Sequence, residues 1–156
     1  MATNTDNRGQ GAQSHYTRQT SFLSATFLVG TALTGDGQQP SGNLLGPAAG
    51  TYDFQIGNLP SGARVCRAFY VTGTAIAGST ATVAVGNVQG GAQFVAAVTF
   101  GTAGFVSLTI VAAQTADYIV TPTPVWARFV VAGTLTALQS DLLVEYVITH
   151  GPQGQF

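Results

Sequence analysis

Between Arg67 and Asp117 the chain carries no Asp, Glu, Lys, Arg or His, and this silence limits the available folds more than any motif does. A spanning helix requires about 20 mostly apolar residues. Here Gly, Ser, Thr, Gln or Asn breaks the run every few positions, as in "STATVAVGNVQGGAQFVAAVTF" (79–100). Nor does any segment support a long amphipathic helix, because Gly, Thr and Val recur where Ala, Leu, Glu and Lys would be expected. Short strands remain. The deficit of charge extends to the whole chain: 7% of its 156 residues are charged and 46% hydrophobic, with 20 glycines, against about 25% charged in average soluble proteins.

Period-two alternation supports the strand reading. After an apolar run from Phe22, "FLSATFLVGTAL", the stretch Thr34 to Gly50 is dense in Gly and Pro and reads as a long loop. Beyond it, Tyr52, Phe54 and Ile56 alternate with Asp53 and Gln55. Ala63, Val65, Phe69 and Val71 share one face of the next run, interrupted by Arg67, with Cys66, Ala68 and Tyr70 on the other. Val83 and Val85 follow, then the turn "GNVQGG" and the set Phe94, Ala96 and Val98. Val125, Ala127, Phe129 and Val131 line one late strand; Leu142, Val144, Tyr146 and Ile148 line another. Eight or nine short strands separated by turn signals fit a sandwich, a jelly roll or a small barrel. The expected fold is an all-β antiparallel β-sandwich of jelly-roll type. It spans residues 21–150, behind an extended N-terminal arm (1–20) and ahead of a short C-terminal tail (151–156).

The composition also limits function. A net charge of −1 gives little colloidal repulsion, which suits a surface covered by neighbours. With no lysine and five scattered arginines, phosphate neutralisation on nucleic acid is not expected. The N-terminal residues have no apolar core of the kind a signal peptide requires, and no membrane partner is expected. Cys66 is the only cysteine, so no intramolecular disulfide forms, and a small buried hydrophobe is its expected role. His15 and His150 stand apart without the further ligands that a metal site needs. The carboxylates Asp6, Asp36, Asp53, Asp117, Asp141 and Glu145 are scattered singly, and no nucleophile elbow, Walker loop or dinucleotide fingerprint is present. Neither catalytic residues nor cofactors nor metals are expected. Two features point to docking instead. Trp126 faces away from Phe129 on its strand, and tryptophan is enriched at interface hot spots. Arg8 and Arg18, with His15 and Tyr16 between them, lie in an arm able to order on a protein partner.

At "NLPSGARVCRAFYVTGTA", "TATVAVGNVQGGAQFVAAVTF" and "TPTPVWARFVVAGTLTALQSDLLVEYVI", the order of features resembles small virion structural proteins of tailed bacteriophages, of the capsid decoration or cement type. The resemblance covers about residues 50 to 149. It implies a sandwich or jelly-roll subunit, a homotrimer in the usual case, made in the host cytoplasm and seated on the outside of the head. There its terminus and loops would clamp adjacent major capsid proteins. It supplies no catalytic residues. A head-fibre or tail-associated module, structural or glycan-binding, is the alternative that the same features leave open.

Overall fold

The computed structural model describes residues 19–29, 43–45, 48–111 and 119–148. Among them are nine strands and no helix: β1 (Gln19–Val29), β2 (Asn43–Leu45), β3 (Gly50–Leu59), β4 (Ala63–Ala77), β5 (Ala81–Gly86), β6 (Val95–Phe100), β7 (Gly104–Leu108), β8 (Thr123–Val131) and β9 (Ala137–Ile148). They form two sheets, β2-β1-β9-β4-β7 and β3-β8-β5-β6. The pairs β1·β9, β3·β8, β4·β7 and β5·β6 nest one inside the next and all run antiparallel. A long hairpin rolled across two sheets in this way is a jelly roll, so the expected sandwich is the observed one. β1 begins at Gln19, inside the segment expected to be an arm; residues 1–18 and 149–156 lie outside the described residues.

The core is an aromatic contact between the sheets. Phe27 of β1 lies with its ring centroid 4.5 Å from that of Phe129, 5.4 Å from Phe54 and 6.3 Å from Phe100. Tyr70 of β4 adds a fourth contact to the second sheet, 4.8 Å from Phe100. Around these rings the alternating sets on β8 (Val125, Ala127, Phe129, Val131) and β9 (Leu142, Val144) are buried as expected. One polar pair is enclosed with them: Ser140 donates to the Val71 carbonyl at 3.2 Å, so the Thr72 hydroxyl donates to Ser140 Oγ at 2.8 Å.

Four sequence expectations change. The stretch read as a loop contains β2, which pairs parallel to β1 and buries Leu45 against the core. At the start of β6, Ala96 is exposed while Val95 and the preceding Phe94 are both buried. The pairing with β5 slips between Val83 and Val85 and so breaks the simple alternation. On β4 the alternation reverses at a bulge. Val65 sits opposite Tyr146 and Arg67 opposite Glu145, leaving Cys66 as the extra residue. Ala63 and Val65 face the core, but beyond the bulge Ala68, Tyr70 and Thr72 do so, while Phe69 and Val71 turn outwards. Cys66, half-buried at the bulge, is not the buried hydrophobe expected.

Candidate assembly surface

The bulge in β4 decides what the first sheet presents to the outside. Four outward positions on β9 set its rows: Asp141 lies between Thr26 and Val71, and Leu143 between Ser24 and Phe69. Glu145 lies between Phe22 and Arg67, and Val147 between Thr20 and Arg64. Phe105 of β7 stands beside Val71. Three phenyl rings therefore cross the face diagonally. Phe22 meets Phe69 edge to face at 6.4 Å, and Phe69 meets Phe105 at 4.9 Å. Phe22 is 51% and Phe105 64% exposed, with Val71 exposed beside them. Clustered aromatics on an open sheet face are unusual in a monomer.

Charge borders this patch. Arg67 donates from Nε to Glu145 Oε2 at 2.9 Å, and its Nη2 lies 2.7 Å from the same oxygen. The arginine side chain is 70% exposed and the glutamate side chain 9%, so the pair shows its cation to the outside and covers its anion. At the opposite end of the patch, Asp141 accepts a hydrogen bond from Thr26 Oγ1.

The outer face of the second sheet is built differently. Asp53 and Arg128 oppose each other across β3 and β8. Arg128 Nε donates to Asp53 Oδ1 at 2.8 Å and Nη2 to Oδ2 at 3.0 Å. This two-pronged hydrogen bond pulls the Asp53 carboxyl below its ordinary range, against the opposing effect of burial. The β5–β6 turn folds back over the pair. Gln89 lies close enough to Asp53 to help hold its carboxyl low, and Gly90 sits so closely on the Arg128 guanidinium that a Cβ there would collide with it. Trp126, one outward position along β8, lies half-exposed between Gln55 and Gly86 of the neighbouring strands, on the outward face assigned to it.

Arg8, His15, Tyr16 and Arg18 lie outside the described residues, as do His150, Asp6, Asp36 and Asp117. The described carboxylates all have partners: Asp53 with Arg128, Glu145 with Arg67, Asp141 with Thr26. Among the described residues no group of three or more His, Cys, Asp or Glu side chains converges as metal ligands would. Sequence reading missed the phenylalanine ladder, since straight alternation through Arg67 sends Phe69 and Val71 inwards. The arginine interrupting that apolar face was the available signal of a bulge.

No protein-family model and no curated protein matches the sequence. Comparison of folds is more informative. A chain in the capsid asymmetric unit of cyanophage Pam1 superposes with a TM-score of 0.51 over 84% of this chain and 86% of that one, at 18% identity. A chain in the capsid of Ralstonia phage GP4 does so with a TM-score of 0.52 over 86% and 85%, at 21% identity. Over those spans the chain thus shares its fold with chains found in phage capsids.

Proposed function

We propose that the protein is a non-enzymatic virion structural subunit of a tailed bacteriophage, a cement or decoration protein on the outer surface of the head that holds adjacent major capsid proteins together. The observation that carries this reading is the fold shared with chains from two phage capsids over 84% and 86% of this chain. Its exterior supports the reading, with a phenylalanine ladder on one sheet face and half-exposed Trp126 on the other. Such a subunit acts through area. A standard interface buries roughly 1,600 Å² in total, and several weak contacts made at once by a self-associated subunit multiply into firm attachment. Charge-poor strands suit that task, because a buried charge left unpaired costs several kcal/mol. In this reading the segment Met1–Arg18, which precedes β1 and includes Arg8, His15, Tyr16 and Arg18, reaches the major capsid protein, and Trp126 anchors a second contact. The homotrimer is the form that the family resemblance implies.

Separating disrupted virions into heads and tails and detecting the chain by antibody tests the assignment. The chain is expected in the head fraction, removable from it without loss of the major capsid protein. Recovery with tails or fibres would replace this reading with the tail-associated one.

A further inference from the structure

The two ends of the sandwich are built differently. The turn 60–62 joins β3 to β4, so the end of the second sheet where Leu59 lies opposite Thr123 is also the end of the first where Gln19 and Ala63 flank Ile148. The β5–β6 turn leaves β5 at this end too, from Gly86 opposite Trp126. Here Gln19 joins the fold to the segment Met1–Arg18. The connections of this end carry Val120, 84% exposed, Val88, 53% exposed, and exposed Pro122. Residues 58–62, 86–93 and 119–126, which form it on the side of the second sheet, include no charged residue. At the opposite end the turns 78–80, 101–103 and 132–136 present only Gly, Ala, Ser and Thr, and their one large apolar side chain, Leu135, is buried.

Val120 is exposed and yet held. The Ile119 N–H donates to the Ala63 carbonyl at 2.8 Å, and the Gly62 N–H to the Ile119 carbonyl at 2.7 Å. The Ser61 hydroxyl donates to the Val120 carbonyl at 2.7 Å. These three bonds fasten the valine to the β3–β4 turn, and its β-branched side chain is stiff about its single torsion. A side chain fixed in this way loses little freedom when a partner covers it.

We infer that this end of the sandwich docks on the major capsid protein, with Val120 as a preformed apolar knob entering an uncharged apolar depression of that partner. The inference rests on the capsid reading and adds to it an orientation: the Val120 end faces the head and the Ser- and Thr-rich end faces away. Two observations select the partner. The segment assigned to the capsid protein joins the fold at this end, so both contacts fall on one partner with a short tether between them, which raises the effective concentration of the second. The absence of charge lets the end lose its water without stranding an unpaired ion, and it gives no cations for an anionic polymer to neutralise.

Co-sedimentation of the full chain with heads stripped of their outer subunits tests the inference, comparing wild type with Val120→Asp, Val120→Ala and, at the opposite end, Thr102→Asp. All three substitutions are at exposed side chains, and an unchanged far-ultraviolet spectrum and unfolding temperature check each fold. Val120→Asp is expected to weaken binding roughly tenfold or more and Val120→Ala roughly threefold, as loss of buried apolar area requires. Thr102→Asp is expected to bind as wild type does. If Val120→Asp disturbs the fold, Val120→Ala, which only removes two methyl groups, decides. Wild-type affinity in both Val120 variants, or an equal loss with Thr102→Asp, overturns the docking end and leaves the capsid reading standing. Wild type that does not bind heads at all overturns both.

Discussion

Asp53 and Arg128 tie one edge strand to its neighbour, and the stability they supply depends on the charge of a single carboxyl. Because the folded-state pKa of Asp53 lies below its ordinary value of 3.8, the contribution is fully present above that value and is lost as the pH falls through the lower folded value. Urea unfolding of wild type and Asp53→Asn from pH 7 downwards should therefore show a stability gap at neutral pH that closes below about pH 3.8. A gap that persists at pH 2 would assign the pair's effect to packing. Gly90 acts on the same pair from above. Its φ of +78° is unfavourable for any residue with a Cβ, and a Cβ would displace the Arg128 guanidinium. Gly90→Ala is expected to cost about 1–2 kcal/mol, and less than that in an Asp53→Asn background, where the guanidinium has no carboxylate to leave. At this scale the sequence is half legible. Alternation places Trp126 outside and Phe129 inside, and "GNVQGG" announces a turn. That the turn lies over Arg128 depends on chain segments distant in sequence, which no local pattern encodes.

Along the elements, legibility follows regularity. β8 and β9 are read correctly because the extra residues of their pairings lie on the partner strands β3 and β4, so each keeps a period of two, and buried Val125, Ala127 and Phe129, like Leu142 and Val144, declare their faces. β4 is misread beyond Val65 because one inserted residue reverses every side chain after it. β2 is missed because three residues are too few for any period, and its burial comes from Leu45 reaching the core of a sheet formed by β1 and β9. The account of the bulge makes a paired prediction. Deleting Cys66 removes only the extra residue and leaves Arg67 opposite Glu145 and Ala68 opposite Val144. The chain should keep its fold, at a cost of about 1–2 kcal/mol. Deleting Phe69 instead turns Tyr70 and Thr72 out of the core and should abolish cooperative thermal unfolding. Equal tolerance of the two deletions in a calorimeter would mean that the faces of β4 are not set by this bulge.

For the whole molecule, the shortage of charge and the jelly roll belong together. Two sheets that bury Phe27, Phe100 and Phe129 between them, with Phe54 packed against these rings, leave two broad outer faces. In a solitary soluble domain such faces alternate in Lys and Glu. Here one presents a phenylalanine ladder and the other a single ion pair beside Trp126. A covered life for these faces is what the composition anticipates, although which residues form the surface became apparent only with the reversal in β4. If the segment Met1–Arg18 reaches the major capsid protein, its removal should leave the unfolding temperature unchanged and lower head attachment at least roughly tenfold. Equal attachment of the shortened chain would assign docking to the sheet faces alone. The most direct measurement is co-sedimentation of the purified full chain with heads stripped of their outer subunits, over a range of chain concentrations. The account predicts binding that saturates at a fixed ratio to the major capsid protein, whereas a folded chain that stays in the supernatant at every concentration would contradict it.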